Sequence, residues 1–178
     1  RVVVTFSFHL VPAGLLFDTA LREMAATVVP SGVGNTELQA TLLKDLQVTG
    51  YIGTASFLLN LLGRCKDLGY VFGKDIVLKR AVLTGEKVPD SMRESFERDY
   101  GIETGQVYGT ADLGLFAYEC GEHKGMHVCE EVFLEIVEPK SGIPVAPGEV
   151  GEIVVTYFDK TLPMVRYGTG DLSFLETG

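Results

Sequence analysis

Short apolar runs rich in β-branched residues alternate with amphipathic segments along the first two thirds of this 178-residue chain. Residues 2–6 (VVVTF) have the composition of a buried strand, and apolar residues then recur at helical spacing after Pro12, a residue type favoured at the start of a helix. Further strands are predicted at 27–29, 51–52 and 78–83, and helices at 12–26, 36–46, 55–68 and 90–100. Because helices connect the successive strands, we expect a mostly parallel sheet flanked by helices.

Small polar residues and glycines mark the ends of these predicted helices. Asn35 or Thr36 is a typical N-cap for the second helix, and Thr54 is one for the third. Gly69 and Gly101 are typical of the position that follows a helix C-terminus. The helix boundaries are therefore predicted from residue chemistry as well as from periodicity.

The pattern changes after Tyr118. Residues 127–137 and 153–158 are predicted strands, and the stretch between them contains EPKSGIPVAPGEVG, which is rich in turn residues and has no helical period. We therefore expect a small antiparallel sheet or barrel segment after the parallel sheet. The predicted fold class is α/β, with an α/β part at 1–118 and a β-rich subdomain at 119–178.

The formal net charge of −9 argues against a nucleic-acid partner, because phosphate backbones bind basic protein faces. The charge is unevenly distributed. Residues 1–118 have 11 Lys and Arg against 13 Asp and Glu, whereas residues 119–178 have 4 against 11. A ligand with several phosphates would therefore need Mg²⁺, or parts of a protein outside this chain, to neutralise its charge.

Features that would indicate secretion or a membrane are missing from the sequence. No apolar run approaches the length of a membrane span, and the first residues lack the basic leader and apolar segment of a secretory signal. Three cysteines do not suggest a disulfide framework. We expect a protein of the reducing cytoplasm with no membrane partner. The chain starts without methionine, directly in a predicted strand, so we expect a piece of a longer protein.

Two segments combine glycines with a threonine, a tyrosine and an aspartate: VYGTADLG at 107–114 and MVRYGTGDLSFL at 164–175. Glycine lets the backbone approach a phosphate or a ring closely. Hydroxyl groups donate to phosphate oxygens, and a carboxylate can hold a metal ion or ribose hydroxyls. The composition of the two segments therefore favours a nucleotide site.

The two motifs in this order resemble the adenylate-forming acyl-CoA synthetase superfamily, specifically the phenylacetate–coenzyme A ligase family. The resemblance implies an enzyme that joins a carboxylic acid to AMP with ATP and Mg²⁺ and passes the acyl group to coenzyme A. It also implies an aromatic, phenylacetate-like acid. The chain lacks a Ser/Thr/Gly-rich phosphate loop of the SSGTTGKP kind and a C-terminal lid with the adenylation lysine, so it is expected to be the central part of the AMP-binding domain.

The resemblance assigns roles to the residues of the first motif. Tyr108 would flank the adenine, and Gly109 would form the floor of the acid pocket and contact the nucleotide. Thr110 would lie near the α-phosphate and Asp112 near Mg²⁺, and these two are the expected catalytic residues. Ala111 stands where the superfamily usually has Ser or Thr, and Asp112 stands where it usually has Glu; the phenylacetate branch includes this YGTAD form.

Three other segments receive roles from the same resemblance. Gly85 and Glu86, directly after a predicted strand, would lie against the adenine, although a simple strand-to-helix turn also explains them. Asp171 in YGTGDL would accept hydrogen bonds from both ribose hydroxyls. Phe8 and His9 would line the acid pocket; without the resemblance they would be interpreted as a core phenylalanine and a histidine at a strand end.

Cys120, His123, His127 and Cys129 form a separate cluster in the sequence, spaced C-x-x-H and H-x-C. Two thiolates and two imidazoles on a hairpin are the ligands of a tetrahedral zinc site, and a polar connector with chance cysteines explains them as well. The cluster leaves one alternative function open, a non-catalytic, zinc-stapled α/β module.

A second alternative is an adenylating enzyme that loads a carrier protein, because such an enzyme shares the same motifs.

Overall fold

The computed structural model describes residues 1–176, which form helices between parallel strands and then a run of antiparallel strands. In chain order the elements are β1 Val2–Val4, α1 Ala13–Glu23, β2 Val28–Pro30, α2 Thr36–Asp45, β3 Gly50–Gly53, α3 Ala55–Asp67, β4 Arg80–Leu83, α4 Asp90–Tyr100, β5 Glu103–Thr110, β6 Gly114–Glu119, β7 Met126–Val128, β8 Val132–Val137, β9 Gly151–Tyr157 and β10 Met164–Ser173. The last two residues of the predicted β-rich subdomain, 177 and 178, lie outside the described residues.

The larger sheet has seven strands in the order β2-β1-β3-β4-β5-β6-β7. The five strands from β2 to β5 in this order pair in parallel. A segment that contains a helix connects each of these strands to the next one along the chain. The carboxyl ends of these strands consequently lie along one edge of the sheet. The predicted α/β fold with a mostly parallel sheet is confirmed.

The chain becomes antiparallel at β5. Strand β6 pairs with β5, and β7 pairs with β6, at the margin of the larger sheet. Strands β8, β9 and β10 form a separate three-stranded antiparallel sheet, as predicted. The single strand predicted at 127–137 is wrong, because this stretch forms β7 in one sheet and β8 in the other. The division of the chain at 118/119 stays a prediction, with β7 hydrogen-bonded to the larger sheet.

Residues of both sheets share one of the three hydrophobic clusters found among residues 1–176. Phe116 and Ala117 of β6 are buried in it together with Ile136 of β8 and two β9 residues, Ile153 and Val155. Tyr108 of β5 and Tyr167 of β10 pack against this cluster from its border. The small sheet is therefore packed on the antiparallel end of the large one, and both tyrosine motifs lie beside the contact.

The predicted helix caps are observed. The Asn35 side chain accepts the Leu38 N–H at 3.1 Å, and the Thr54 hydroxyl accepts the Phe57 N–H at 3.2 Å. Gly101 follows α4 with a φ of 66°, a left-handed conformation that glycine adopts without strain. Within residues 1–176, no helix is both long enough and apolar enough to cross a membrane.

Candidate functional site

The segments predicted to bind the nucleotide and the acid follow the carboxyl ends of parallel strands. His9 lies in the segment after β1, Thr54 follows β3, Gly85 follows β4, and Tyr108 lies in the last part of β5. In open α/β sheets, ligands bind outside this edge of the sheet. The topology therefore brings the predicted residues of the parallel half to the edge where a ligand site is expected.

Glu86 is held against the start of α3. Its Oε1 accepts the Ser56 N–H at 2.5 Å, and its Oε2 accepts the Ser56 hydroxyl at 3.0 Å. A carboxylate at this position satisfies a free N–H of the first helical turn and interacts favourably with the helix dipole. The loop after β4 is thus fixed to the loop after β3, a link that the sequence did not indicate.

Gly85 adopts a φ of 84°, in the region that side chains rarely occupy. A Cβ added here would lie 3.5 Å from Thr54 Cγ2 and 4.0 Å from Phe6 Cε1, which are ordinary contact distances. Backbone conformation rather than lack of space therefore favours glycine at this position. Gly85 is exposed, so its backbone is accessible to solvent.

Tyr108 connects the VYGTADLG motif to the YGTGDL motif. Its hydroxyl donates to Asp171 Oδ2 at 2.7 Å, and its ring packs edge-on against Phe116 with the ring centroids 5.1 Å apart. Burial raises the pKa of Tyr108 to about 12, with a further contribution from the charge of Asp171. The hydroxyl is therefore protonated at neutral pH and acts as the donor.

Thr110 is the last residue of β5, and Asp112 lies in the turn between β5 and β6. The Asp112 carboxylate accepts the Tyr167 hydroxyl at 2.9 Å, and this bond, followed by the charge of Asp112, raises the pKa of Tyr167. The Thr110 hydroxyl accepts the Leu113 N–H at 3.1 Å, which leaves its own proton available to a ligand. The Asp112 side chain is exposed to solvent.

Gly109 is fixed by a close approach of two strands. A Cβ at this position would lie 2.1 Å from the Gly114 carbonyl oxygen and 2.8 Å from Leu115 Cα. The register of β5 against β6 shifts between Tyr108 and Gly109, as at a β-bulge. The bulge changes the direction of the backbone at Tyr108 and Gly109, near the end of β5.

Phe8 and His9 line an open concavity of about 460 Å³ next to the segment that follows β2. Ser7 and residues 30–33 form the rest of its wall. The Ser7 hydroxyl lies 3.3 Å from the imidazole Nδ1 of His9. Gly109 is not part of this wall, so the structure brings two of the three predicted acid-pocket residues together and leaves the third at the β5 bulge.

The four residues of the zinc hypothesis are not arranged as a metal centre. Among residues 1–176, no group of three or more His, Cys, Asp or Glu side chains is placed to hold a metal ion. The imidazole of His123 lies instead 2.9 Å from Arg93 Nη1 and 3.2 Å from Glu119 Oε2, and the His127 ring packs on Tyr118. The structure gives the zinc-stapled module no support.

Two residues near the candidate site were not predicted from the sequence. Ser56 binds Glu86, and Tyr167 binds Asp112. Tyr167 was within reach of sequence reasoning, because YGTGD repeats the spacing of YGTAD with a tyrosine four residues before the aspartate. Arg166, beside it, pairs with Glu135 at 3.2 Å and donates to the Gly142 carbonyl, so its guanidinium is bound within the small sheet.

No family model matches the chain. The chain is 34% identical to phenylacetate-coenzyme A ligase of Pseudomonas putida over 184 residues, an alignment that includes 100% of this chain and 42% of that enzyme. The Escherichia coli enzyme of the same name is 35% identical over 187 residues, with the same two coverages. The chain therefore spans about two fifths of the length of the curated relatives it matches.

Solved structures share the fold. A 2-hydroxyisobutyryl-CoA ligase in complex with 2-HIB-AMP and CoA superposes with a TM-score of 0.88 at 20% identity, covering 97% of this chain and 38% of its own. A long-chain-fatty-acid-CoA ligase from Archaeoglobus fulgidus superposes with a TM-score of 0.70 at 14% identity, covering 98% of this chain and 41% of its own. At these identities the structures establish the fold alone. Along its whole length, the chain is thus homologous to the phenylacetate–coenzyme A ligases, the family whose motifs its two YGTxD segments resemble.

Proposed function

We propose that this chain is the central part of an acid–coenzyme A ligase that activates an aromatic, phenylacetate-like acid with ATP. The observation that carries the proposal is the 2.7 Å hydrogen bond between Tyr108 and Asp171, which joins the predicted adenine and ribose residues across 63 positions of sequence. Two segments that each suit a nucleotide therefore meet at one place. The relatives named above support the same reaction class.

The reaction has two steps. The carboxylate of the acid attacks the α-phosphorus of ATP, which forms acyl-AMP and releases pyrophosphate. The thiol of coenzyme A then attacks the acyl carbonyl, which forms the thioester and releases AMP. Neither step needs a covalent bond to the protein, so catalysis comes from positioning and from stabilisation of the charge that develops.

The nucleotide would be held by five residues of this chain. Tyr108 and the exposed backbone at Gly85, with Glu86 beside it, would contact the adenine. The free oxygen of Asp171 would accept the ribose hydroxyls, because an ionised carboxylate accepts several hydrogen bonds. The Thr110 hydroxyl would donate to an α-phosphate oxygen.

Asp112 is the residue that would hold Mg²⁺. Its Oδ1 has no hydrogen-bond partner in the part of the chain that the structure describes, and carboxylate oxygens are the ligands Mg²⁺ prefers. One carboxylate suits an ion that is otherwise bound by phosphates and water. Bound there, the ion would neutralise part of the triphosphate charge that the few cations of residues 119–178 cannot balance.

The acid would occupy the concavity beside Phe8 and His9, with the phenylalanine ring against the apolar part of the acid. The phosphate loop and the C-terminal lid would belong to the part of the relatives' length that this chain does not span. A cytoplasmic location is part of the proposal and is supported by the three cysteines, all of which are free thiols.

AMP binding to the full-length protein, measured by calorimetry for wild type and Asp171→Asn, tests the nucleotide assignment. We expect the variant to bind AMP at least tenfold more weakly, because an amide offers the ribose one neutral acceptor in place of a charged one. Asp45→Asn is the matched control, because Asp45 ends α2 at the opposite edge of the sheet. Equal AMP affinity in all three proteins would refute the ribose assignment.

A further inference from the structure

The tyrosine of each YGTxD motif donates a hydrogen bond to the aspartate of the other motif. Tyr108 bonds to Asp171 at 2.7 Å, and Tyr167 bonds to Asp112 at 2.9 Å. The two bonds run in opposite directions between β5 with its following turn and β10. The four side chains therefore form a crossed pair of contacts between the large sheet and the small one.

Both crossed bonds leave one side of each carboxylate free. The tyrosines contact Oδ2 of Asp171 and Oδ2 of Asp112, and within residues 1–176 neither Oδ1 has a hydrogen-bond partner. A phenol that donates to one oxygen fixes the rotation of the carboxylate and leaves the second oxygen directed elsewhere. The contacts are thus compatible with a ligand on each aspartate.

The tyrosines are anchored, whereas the aspartates are exposed. Tyr108 and Tyr167 pack against the same hydrophobic cluster, and Tyr108 also contacts the ring of Phe116. Asp112 and Asp171 lie at the surface. The phenol hydroxyls are therefore the fixed ends of the two bonds, and the carboxylates are the ends that would otherwise rotate freely.

The threonine of each motif stabilises the backbone beside its own aspartate. The Thr110 hydroxyl accepts the Leu113 N–H at 3.1 Å, one residue after Asp112. The Thr169 hydroxyl accepts the Asp171 N–H at 3.2 Å and donates to the Ile153 carbonyl at 3.0 Å. The threonine of each motif therefore fixes the backbone beside the aspartate of the same motif, whereas the tyrosine fixes the orientation of the aspartate side chain of the other motif.

We propose that Tyr167 is a positioning residue for the metal-binding carboxylate of Asp112, and that Tyr108 positions the ribose-binding carboxylate of Asp171. Each motif then controls the ligand contact of the other motif. The inference rests on the proposed function for the identity of the two ligands. Its geometric part, that the tyrosine of each motif orients the aspartate of the other motif, does not depend on the proposed function.

The ligand part is tested with Tyr167→Phe and Tyr108→Phe in the full-length protein, which keep both rings in the hydrophobic cluster. Tyr167→Phe is expected to raise the Mg²⁺ concentration for half-maximal activity roughly tenfold, the usual cost of losing a partner of a metal ligand. Excess Mg²⁺ should restore its rate, and AMP affinity measured without Mg²⁺ should not change. Tyr108→Phe should weaken AMP without Mg²⁺, and Tyr118→Phe on β6 is the matched control.

The geometric part is tested by thermal melting of double variants. Tyr167→Phe with Asp112→Ala, and Tyr108→Phe with Asp171→Ala, should melt no lower than the worse single variant, because both substitutions of a pair remove the same hydrogen bond. The combinations within a motif, such as Tyr167→Phe with Asp171→Ala, remove two different bonds and should lower the melting temperature additively.

The outcomes separate the two claims. Additive melting in the crossed combinations, or an unchanged Mg²⁺ requirement in Tyr167→Phe, overturns the inference. A full-length protein that forms no acyl-CoA but shows crossed coupling supports the pairing of the motifs and contradicts the proposed function instead.

Discussion

Arg93 Nη2 lies 2.8 Å from both carboxylate oxygens of Glu119, and the two side chains are only 12% and 6% exposed. The pair joins α4 to the end of β6. Arg93 also donates to the Thr104 carbonyl and hydroxyl, and Glu119 accepts the Gln106 N–H at 3.0 Å. Strand β5, which contains Tyr108, is therefore fixed to α4 and β6 by a nearly buried ion pair.

Arg93→Ala should destabilise the protein by about 3–5 kcal/mol, because it leaves the Glu119 carboxylate nearly buried without its cation. Chemical denaturation with urea measures the change in the free energy of unfolding. Arg98→Ala on the same helix is the matched control, since Arg98 pairs with Asp99 at the surface and should contribute little. Equal stability of the two variants would show that the Arg93 pair is not structural.

The same pair predicts a loss of stability in acid. Burial tends to raise the pKa of Glu119, but hydrogen bonds from Arg93 and His123 outweigh it and lower the pKa. A carboxyl whose pKa is lower in the folded state stabilises the protein above its unfolded pKa. That stability should disappear as the pH falls from the ordinary glutamate value, about 4.3, through the lower folded value.

The measurement for the acid prediction is the free energy of unfolding from pH 7 to pH 3 for wild type and Glu119→Gln. The variant is expected to be less stable at neutral pH and to lose less stability in acid, because the titrating carboxyl is absent. Parallel curves for the two proteins would contradict a role for Glu119 in acid sensitivity.

Gly109→Ala should be strongly unfavourable, because the added Cβ would meet the Gly114 carbonyl oxygen, which belongs to the backbone and cannot turn aside. We expect a loss of about 1–3 kcal/mol, the usual cost of overpacking. Gly105→Ala in the same strand is the control, since a Cβ there meets nothing within 4 Å. Denaturation curves that coincide for both variants would exclude the close approach of β5 and β6.

Glu86→Ala should lower the melting temperature by about 3 °C, because it removes the carboxylate that caps α3 through Ser56. AMP affinity should also fall, since the loop that carries Gly85 loses its attachment. Lys87→Ala is the matched control on the neighbouring exposed side chain. If Glu86→Ala melts like Lys87→Ala, the capping contact is not formed in solution.

Local chemistry explains why most of the fold could be predicted from the sequence. Asn35, Thr54 and Gly101 make their capping hydrogen bonds within four residues of their own positions, so their chemistry alone locates the helix ends. The parallel order followed from the alternation of strands and helices. The division of 127–137 into β7 and β8 was not predictable, because side-chain alternation does not reveal which sheet a strand joins.

The sequence allowed individual residues of the candidate site to be named, but it did not predict the contacts between them. Tyr108 and Asp171 were both named from their motifs, but the bond between them spans 63 positions and depends on how β10 packs beside β5. Glu86 was assigned to the adenine from its position in the motif, and its bond to Ser56 depends on the neighbouring helix N-terminus. Long-range pairing of this kind leaves no periodic signal in a single sequence.

Thioester formation by the full-length protein tests the central claim most directly. Purified protein is incubated with phenylacetate, ATP, Mg²⁺ and coenzyme A, and the thioester, AMP and pyrophosphate are quantified together, with a carrier protein offered as the alternative acceptor. We predict phenylacetyl-CoA, AMP and pyrophosphate in equal amounts, with no product when ATP is left out. Release of ADP and phosphate, acylation of the carrier protein alone, or no thioester from any aromatic acid would contradict the account.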